Sequence, residues 1–248
     1  MKMALIVNHV TNIEANFRHI VDAIHKCVDD KTDLILFPEA AITGLINDDN
    51  PLHDILLGSP IPGEFTNTLT EVARDQKIHI GIGILEREGN KLYDSAILIT
   101  PDKGIVLKYR RMTSGWHGKH ANPKVYCEGN EFKKVETALG TFAFLICGDL
   151  FDDDLIAQVQ KLQPDWLLFP FARCFRDGTY DQEKWDKEEK SKYIERVKIV
   201  RVITFMVNYL ADKKLDGGSF GGAMVVLPTC EVIAEMPIGR EGVLYVEI

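Results

Sequence analysis

Several absences narrow the class of this chain. No apolar run approaches the roughly 20 residues that a helix needs to cross a bilayer. The opening MKMALIVNHV turns polar too soon to be expected as a secretory leader. The five cysteines, Cys27, Cys127, Cys147, Cys174 and Cys230, are odd in number, widely spaced and without a paired pattern. That argues against a disulfide framework and for a reducing, cytoplasmic setting. Basic residues are in deficit, 29 Lys and Arg against 37 Asp and Glu, for a formal charge of −8. A sequence-independent nucleic-acid surface or an anionic-membrane surface is therefore not expected.

Binding signatures are missing too. The glycine-rich stretch 217–222 lacks the preceding strand, the glycine spacing and the Lys-Ser/Thr of a phosphate-binding loop, and reads as a turn region. His117-x-x-His120 near Cys127 offers one closely spaced pair and no second, so no metal is expected there. Asp152, Asp153 and Asp154 read as a helix cap rather than an ion-binding loop. No linker or shift in composition divides the chain, which predicts a single domain over 1–248.

What is present alternates between strand and helix patterns. Ala4 to Val7 reads as a strand, and Ile13 to Val28 carries Phe17, Ile20, Val21, Ile24 and Val28 along one helix face. Asp33 to Ala40 is an apolar strand broken by Pro38. Ala40 to Pro62 reads as loop with one helical turn at Leu52 to Leu57, followed by a helix over Thr66 to Asp75 and a strand over Ile78 to Leu85. Asn90 to Thr100 and Gly104 to Tyr109 read as paired strands joined at Pro101-Asp102. Thr113 to Glu131 has no periodicity, and a loop of that length in a compact domain is usually functional. A strand ending near Cys147, a helix over Leu155 to Leu162, a strand from Asp165, one long charged helix over Asp181 to Arg201 and further strands complete the pattern, which predicts a layered α/β fold.

One octapeptide pattern occurs twice. Asp-x-x-Leu-Phe-Pro-x-Ala begins at Asp33 and again at Asp165, about half the chain apart, which predicts two similar halves. The copies differ at one telling position, where the first has Glu39 and the second Phe171. A Glu after a strand is ordinarily a solvated loop residue. One at the carboxyl end of a buried strand stands where α/β sheets place their sites. Cys147 closes the apolar run Thr141 to Ile146 and precedes Gly148 and Asp149. Alone it reads first as core filler, the usual place of a free cysteine, and second as a thiol at the positive start of the following helix, with turn N–H groups available to an oxyanion.

Leu-Phe-Pro-Glu39, the Lys-Tyr-Arg-Arg run at 108–111 and Leu-Ile-Cys147-Gly-Asp, in that order, resemble the nitrilase superfamily of carbon-nitrogen hydrolases. Val207-Asn208 and the stretch from Gly218-Ser219 to Leu227-Pro228 extend the resemblance over nearly the whole chain. It implies a four-layer α-β-β-α sandwich of two pseudo-symmetric halves, commonly a homodimer or higher homo-oligomer, with no cofactor. It implies cleavage of a small amide, nitrile or carbamoyl substrate through a thioester. Cys147 is then the nucleophile, Glu39 the general base and the Gly148 N–H part of the oxyanion hole. Arg111 stands where the family has a lysine, and Lys108 is a weaker substitute. The family's frequent second Glu has no counterpart at the expected place before Gly129, so that role is absent or is taken by Asn122 or Glu128. Lys108, Asn122, Glu128, Gly148 and Phe171 are the candidate substrate contacts. A binding protein that has lost the chemistry, and an acyltransferase using the same thioester, are the alternatives.

Overall fold

The computed structural model describes residues 1–216 and 218–248. Gly217, where the glycine-rich stretch begins, lies outside the described residues. Two six-stranded sheets form the centre. The first contains β1 (Lys2–Val7), β3 (Leu34–Leu36), β4 (His79–Glu88), β5 (Lys91–Thr100), β6 (Gly104–Arg110) and β14 (Gly242–Glu247), in the order β14-β1-β3-β4-β5-β6. The second contains β7 (Val135–Thr137), β8 (Gly140–Phe144), β9 (Trp166–Phe171), β10 (Ile203–Asn208), β12 (Ala223–Val226) and β13 (Val232–Met236), in the order β13-β12-β10-β9-β8-β7. A short pair, β2 (His9–Val10) with β11 (Leu210–Ala211), ties the two halves together.

Side-chain alternation sorts each strand between two cores. On β1, Met3, Leu5 and Val7 face the space between the sheets, where they join Phe142, Phe144 and Leu168 of the second sheet. Ala4 and Ile6 point the other way, onto a layer with Ile20, Ile24 and Leu69 from α1 (Ile13–Asp29) and α3 (Glu64–Gln76). The second sheet is covered by α4 (Asp153–Leu162) and α6 (Lys190–Val200), which bury Leu155, Ile156, Val159, Tyr193, Val197 and Val200. Strands buried on both faces account for the near-continuous apolar runs. The result is helix, sheet, sheet, helix.

The twofold repeat is visible in the pairing. From β14 to β6 the neighbours run antiparallel, parallel, parallel, antiparallel, antiparallel, and β7 to β13 repeat that series. The two central strands are the two copies of the octapeptide. Its aspartate does the same work in each: Asp33 Oδ2 accepts from Lys2 N at 2.7 Å, and Asp165 Oδ2 accepts from Thr141 N at 2.7 Å. Each therefore fixes where the neighbouring parallel strand begins.

Three segments differ from the sequence reading. The helical turn near Leu52 is a full helix, α2 (Pro51–Leu57), with Asn50 accepting from Leu52 N as its cap. The long charged helix is α5 (Gln182–Lys184), a π-helical turn over Trp185–Glu189, and then α6. The widened turn carries Glu189, which pairs with Arg173 at 3.0 Å. Thr113 to Glu131 is irregular as expected, yet it buries Trp116, Val125 and Tyr126 against Leu85 and Leu92, giving the loop a small core of its own. A four-residue α7 (Lys213–Asp216) follows β11. Among the described residues no helix is long and apolar enough to cross a membrane.

Candidate active site

The site forms where the ends of β3, β6 and β8 converge. Beyond β8 the chain turns sharply at Cys147, whose φ is +45°, a left-handed conformation that costs a non-glycine residue about 1 kcal/mol or more. Its Sγ lies 3.5 Å from the carbonyl oxygen of Ala172, just past β9. Cys147 to Phe151 form a single 3-10 turn, and α4 starts only at Asp153. The expectation that Cys147 sits at the positive end of the next α-helix is therefore corrected. That end is capped by Asp152, which accepts from Leu155 N at 3.0 Å, so the positive field at the thiol has another origin.

Asp149 holds the turn in place. Its Oδ2 accepts from Tyr109 Oη at 2.7 Å and from Ile146 N at 3.2 Å, while Oδ1 accepts from the N–H groups of Met112 and Thr113 and from Thr113 Oγ1. This fully buried carboxylate thus pins the cysteine turn to the segment that follows Arg111. Burial raises its pKa despite these donors, and burial next to Asp149 holds the Tyr109 hydroxyl well above the usual tyrosine range.

Glu39 follows β3 and is completely buried. Its backbone is seated by Gly83 of β4, with Gly83 N donating to Pro38 O at 3.0 Å and Ala41 N donating to Gly83 O at 3.0 Å. A Cβ at Gly83 would stand 2.5 Å from Glu39 Cα and 2.5 Å from Pro38 O. Gly83→Ala is therefore expected to destabilise the protein by about 1–3 kcal/mol through overpacking and to displace Glu39. Paired thermal melts and activity measurements check this, and an unchanged melting temperature would count against it.

Arg111 supplies the positive charge. It is 4% exposed, and its Nη1 donates to Glu39 Oε1 at 3.0 Å and to Asp94 Oδ2 at 3.4 Å, while Nε reaches Thr113 Oγ1 at 3.1 Å. Nη2 fits because two neighbours lack side chains: a Cβ at Gly115 or Gly148 would come within 2.6 Å or 2.7 Å of it. Burial opposes the guanidinium charge, but the charges of Cys147, Glu39 and Asp94 outweigh it and hold the proton more firmly than usual. Glu39 moves in the opposite sense to most ion-paired acids. Burial first, then the charges of Asp94 and Cys147, hold its carboxyl well above the usual range, and Arg111 offsets them only in part.

A family model for carbon-nitrogen hydrolases matches residues 4–248. The chain belongs to the carbon-nitrogen hydrolase family. Two similar proteins are an (R)-stereoselective amidase from a Pseudomonas species and a deaminated glutathione amidase from Dictyostelium discoideum. The first is 25% identical over 93% of this chain and 77% of its own, and the second 23% identical over 98% and 85%. Among solved structures, a carbon-nitrogen hydrolase from Helicobacter pylori G27 superposes with a TM-score of 0.84 at 17% identity, covering 99% of this chain and 87% of the other. A mutant of the amidase from Nesterenkonia sp. AN1, showing Michael addition of acrylamide at its active site cysteine, superposes with a TM-score of 0.78 at 17% identity, over 100% of this chain and 93% of its own.

Within this carbon-nitrogen hydrolase the remaining candidates fall elsewhere. Lys108 is engaged at 2.7 Å by Glu86, which also binds Arg110 on the same face of β6, while Tyr109 points inward to Asp149. Strand alternation thus separates Lys108 from Arg111, so Lys108 does not substitute for it. Asn122 closes a turn, its side chain accepting from Lys124 N, and Glu128 pairs with His117 at 2.9 Å. Neither is bonded to Arg111. Phe171 is 2% exposed and stacks on Phe169 at 5.4 Å, a packing role. Gly148 lies against Arg111 Nη2, beside the cysteine.

Sequence reasoning missed Asp94, the second carboxylate at Arg111. Its signal was an acid inside the otherwise apolar run of β5. Also missed was Arg173, paired with Glu189, which like Tyr193 lies close enough to Cys147 to sense its charge. The Asn208 and Ser219 segments serve this side: Asn208 bonds both N and O of Arg173, and Ser219 Oγ lies 2.9 Å from Asn208 Oδ1. Asp48, His53 and Asp54 could hold a cation, their nearest ligand atoms lying within 4.8 Å of one another. The Asp54 oxygens already bond Asp48 N, His53 Nδ1 and Tyr126 Oη, which explains the cluster without an ion.

Proposed function

We propose that the chain hydrolyses a small amide or carbamoyl compound through a thioester on Cys147. Supporting this is the buried Glu39–Arg111 ion pair beside the thiol, in which Glu39 keeps one oxygen, Oε2, without a donor among the described residues. A buried carboxyl held well above its usual range beside a thiol is suited to take a proton and return it. Glu39 takes the Cys147 proton as sulfur attacks the carbonyl carbon, and the Gly148 N–H and Arg111 stabilise the oxyanion. Glu39 then protonates the departing nitrogen, the C–N bond breaks and the thioester remains. Water gives a proton to Glu39 and attacks the thioester, and Cys147 recovers its proton as the acid leaves. A surface cleft lined by Leu45, Asn47, Asp48, Asp49 and Gly115 to Gly118 lies on the side of the site where Gly115 packs against Arg111.

Intact-protein mass spectrometry after brief incubation with pooled small amides is expected to show an acyl adduct that maps to Cys147 and decays in water. Absence of any adduct across amide, nitrile and carbamoyl pools would sink the thioester route. Faster adduct loss to added amines than to water would redirect the reading to acyl transfer. Silence to all pools with ligand-dependent thermal stabilisation would redirect it to binding alone.

A further inference from the structure

We propose that Asp94 is a positioning residue of this catalytic centre, holding with Glu39 a single shared proton so that Arg111 faces one net negative charge instead of two. The inference rests on the hydrolase reading for its meaning but not for its test. Glu39, from the end of β3, and Asp94, from β5, are both buried, and their carboxyls meet side chain to side chain. Two carboxylates cannot hydrogen-bond each other, because both only accept; one proton between them makes a donor and an acceptor. Glu39 Oε2 and Asp94 Oδ1 are the oxygens of the pair that no other group satisfies among the described residues. The remaining two oxygens, Glu39 Oε1 and Asp94 Oδ2, share the same Arg111 Nη1. The register is fixed by the backbone as well, with Arg111 N donating to Asp94 O at 2.8 Å.

The charge count requires the proton. Arg111 carries one positive charge and does not release it. The nearby cations Lys108 and Arg110 are committed to Glu86, and Arg173 to Glu189. Asp149, the other acid near Arg111, has its own donors in Tyr109, Thr113 and three backbone N–H groups. Two like charges this close in a water-poor site do not both ionise, and they titrate as a unit. Burial raises the pKa of both acids. With the shared proton on Asp94, Glu39 is free to receive the Cys147 proton. The centre then holds a thiolate, two neutral carboxyls and Arg111, and remains balanced.

The test is infrared difference spectroscopy at pH 7, carried out on full-length protein in a Cys147→Ala background so that no carboxyl proton originates from the thiol. The expected result is a protonated-carboxyl band that disappears in Asp94→Asn and equally in Glu39→Gln, because either change leaves one carboxylate paired one-to-one with Arg111. A band lost in only one variant, or retained in both, overturns the proposal by placing the proton on one acid or elsewhere. If Asp94→Asn does not fold, the Cys147→Ala protein and its Glu39→Gln variant still decide it, since a missing band in the first or a retained band in the second refutes the shared proton. Cys147 labelling by iodoacetamide in the wild-type protein, mapped by peptide, tests the nucleophile separately. An inert Cys147 would overturn the hydrolase reading and leave the infrared result standing.

Discussion

Cys147→Ala is expected to lower kcat by at least about 1,000-fold, because the bond-forming atom is removed and the remaining groups act only through it. Turnover of whichever amide the wild-type protein cleaves, measured beside the loss of acyl adduct, checks this. Retained turnover would falsify the thioester mechanism. The backbone adds a second, independent expectation. At φ +45° an alanine is strained as the cysteine is, whereas glycine is not. Cys147→Gly is therefore expected to be more stable than Cys147→Ala by about 1 kcal/mol. Equal melting temperatures would show that the turn stores no strain.

Arg111→Met is expected to cost about 3–5 kcal/mol at pH 7, the largest stability loss of any substitution considered, because it strands Glu39 and Asp94 in the interior without their cation. The pH dependence has a definite sign. Both acids already have folded pKa values raised by burial, and without Arg111 they rise further. A raised carboxyl binds its proton more tightly folded than unfolded, so stability falls as pH rises through the folded value and is regained as pH falls back toward the ordinary carboxylate range. The deficit of Arg111→Met relative to wild type should accordingly shrink between pH 8 and about pH 5. Denaturant melts across that range measure it, and a deficit independent of pH would mean that Arg111 acts by packing alone.

Much of this architecture could be read from residues close together in sequence. The alternation of Met3, Leu5 and Val7 against Ala4 and Ile6 is local, and so is the Asp-Leu-Phe-Pro pattern that marks the central strand of each sheet. The separation of Lys108 from Arg111 follows from the same period of two. The features that escaped depend on contacts remote in sequence. Asp94 meets Glu39 and Arg111 only through the pairing of β4, β5 and β6, and Asp149 reaches Tyr109 and Thr113 across about 40 positions. The strand-to-helix pattern at Cys147 misled for a local reason: a 3-10 turn and the Asp152 cap intervene before α4. The π-helical turn at Trp185–Glu189 left no mark in the periodicity, since the flanking residues keep an amphipathic order on either side.

The paired aspartates also set an exact correspondence between the halves. Because Asp33 anchors Lys2 as Asp165 anchors Thr141, the place of Cys147 six residues on is taken in the other half by Asn8. Asn8 donates to Ala41 O at 3.1 Å, much as Cys147 Sγ reaches the Ala172 carbonyl, but without a left-handed backbone. Phe171 takes the place of Glu39. The molecule thus divides its labour: the second half carries the strained thiol and the first half the buried charges, and each fills the other's reactive position with a relaxed amide or a stacked ring. Neither half holds a complete site, and grafting a thiol at Asn8 together with an acid at Phe171 would show how much of the site belongs to the strand framework rather than to the side chains.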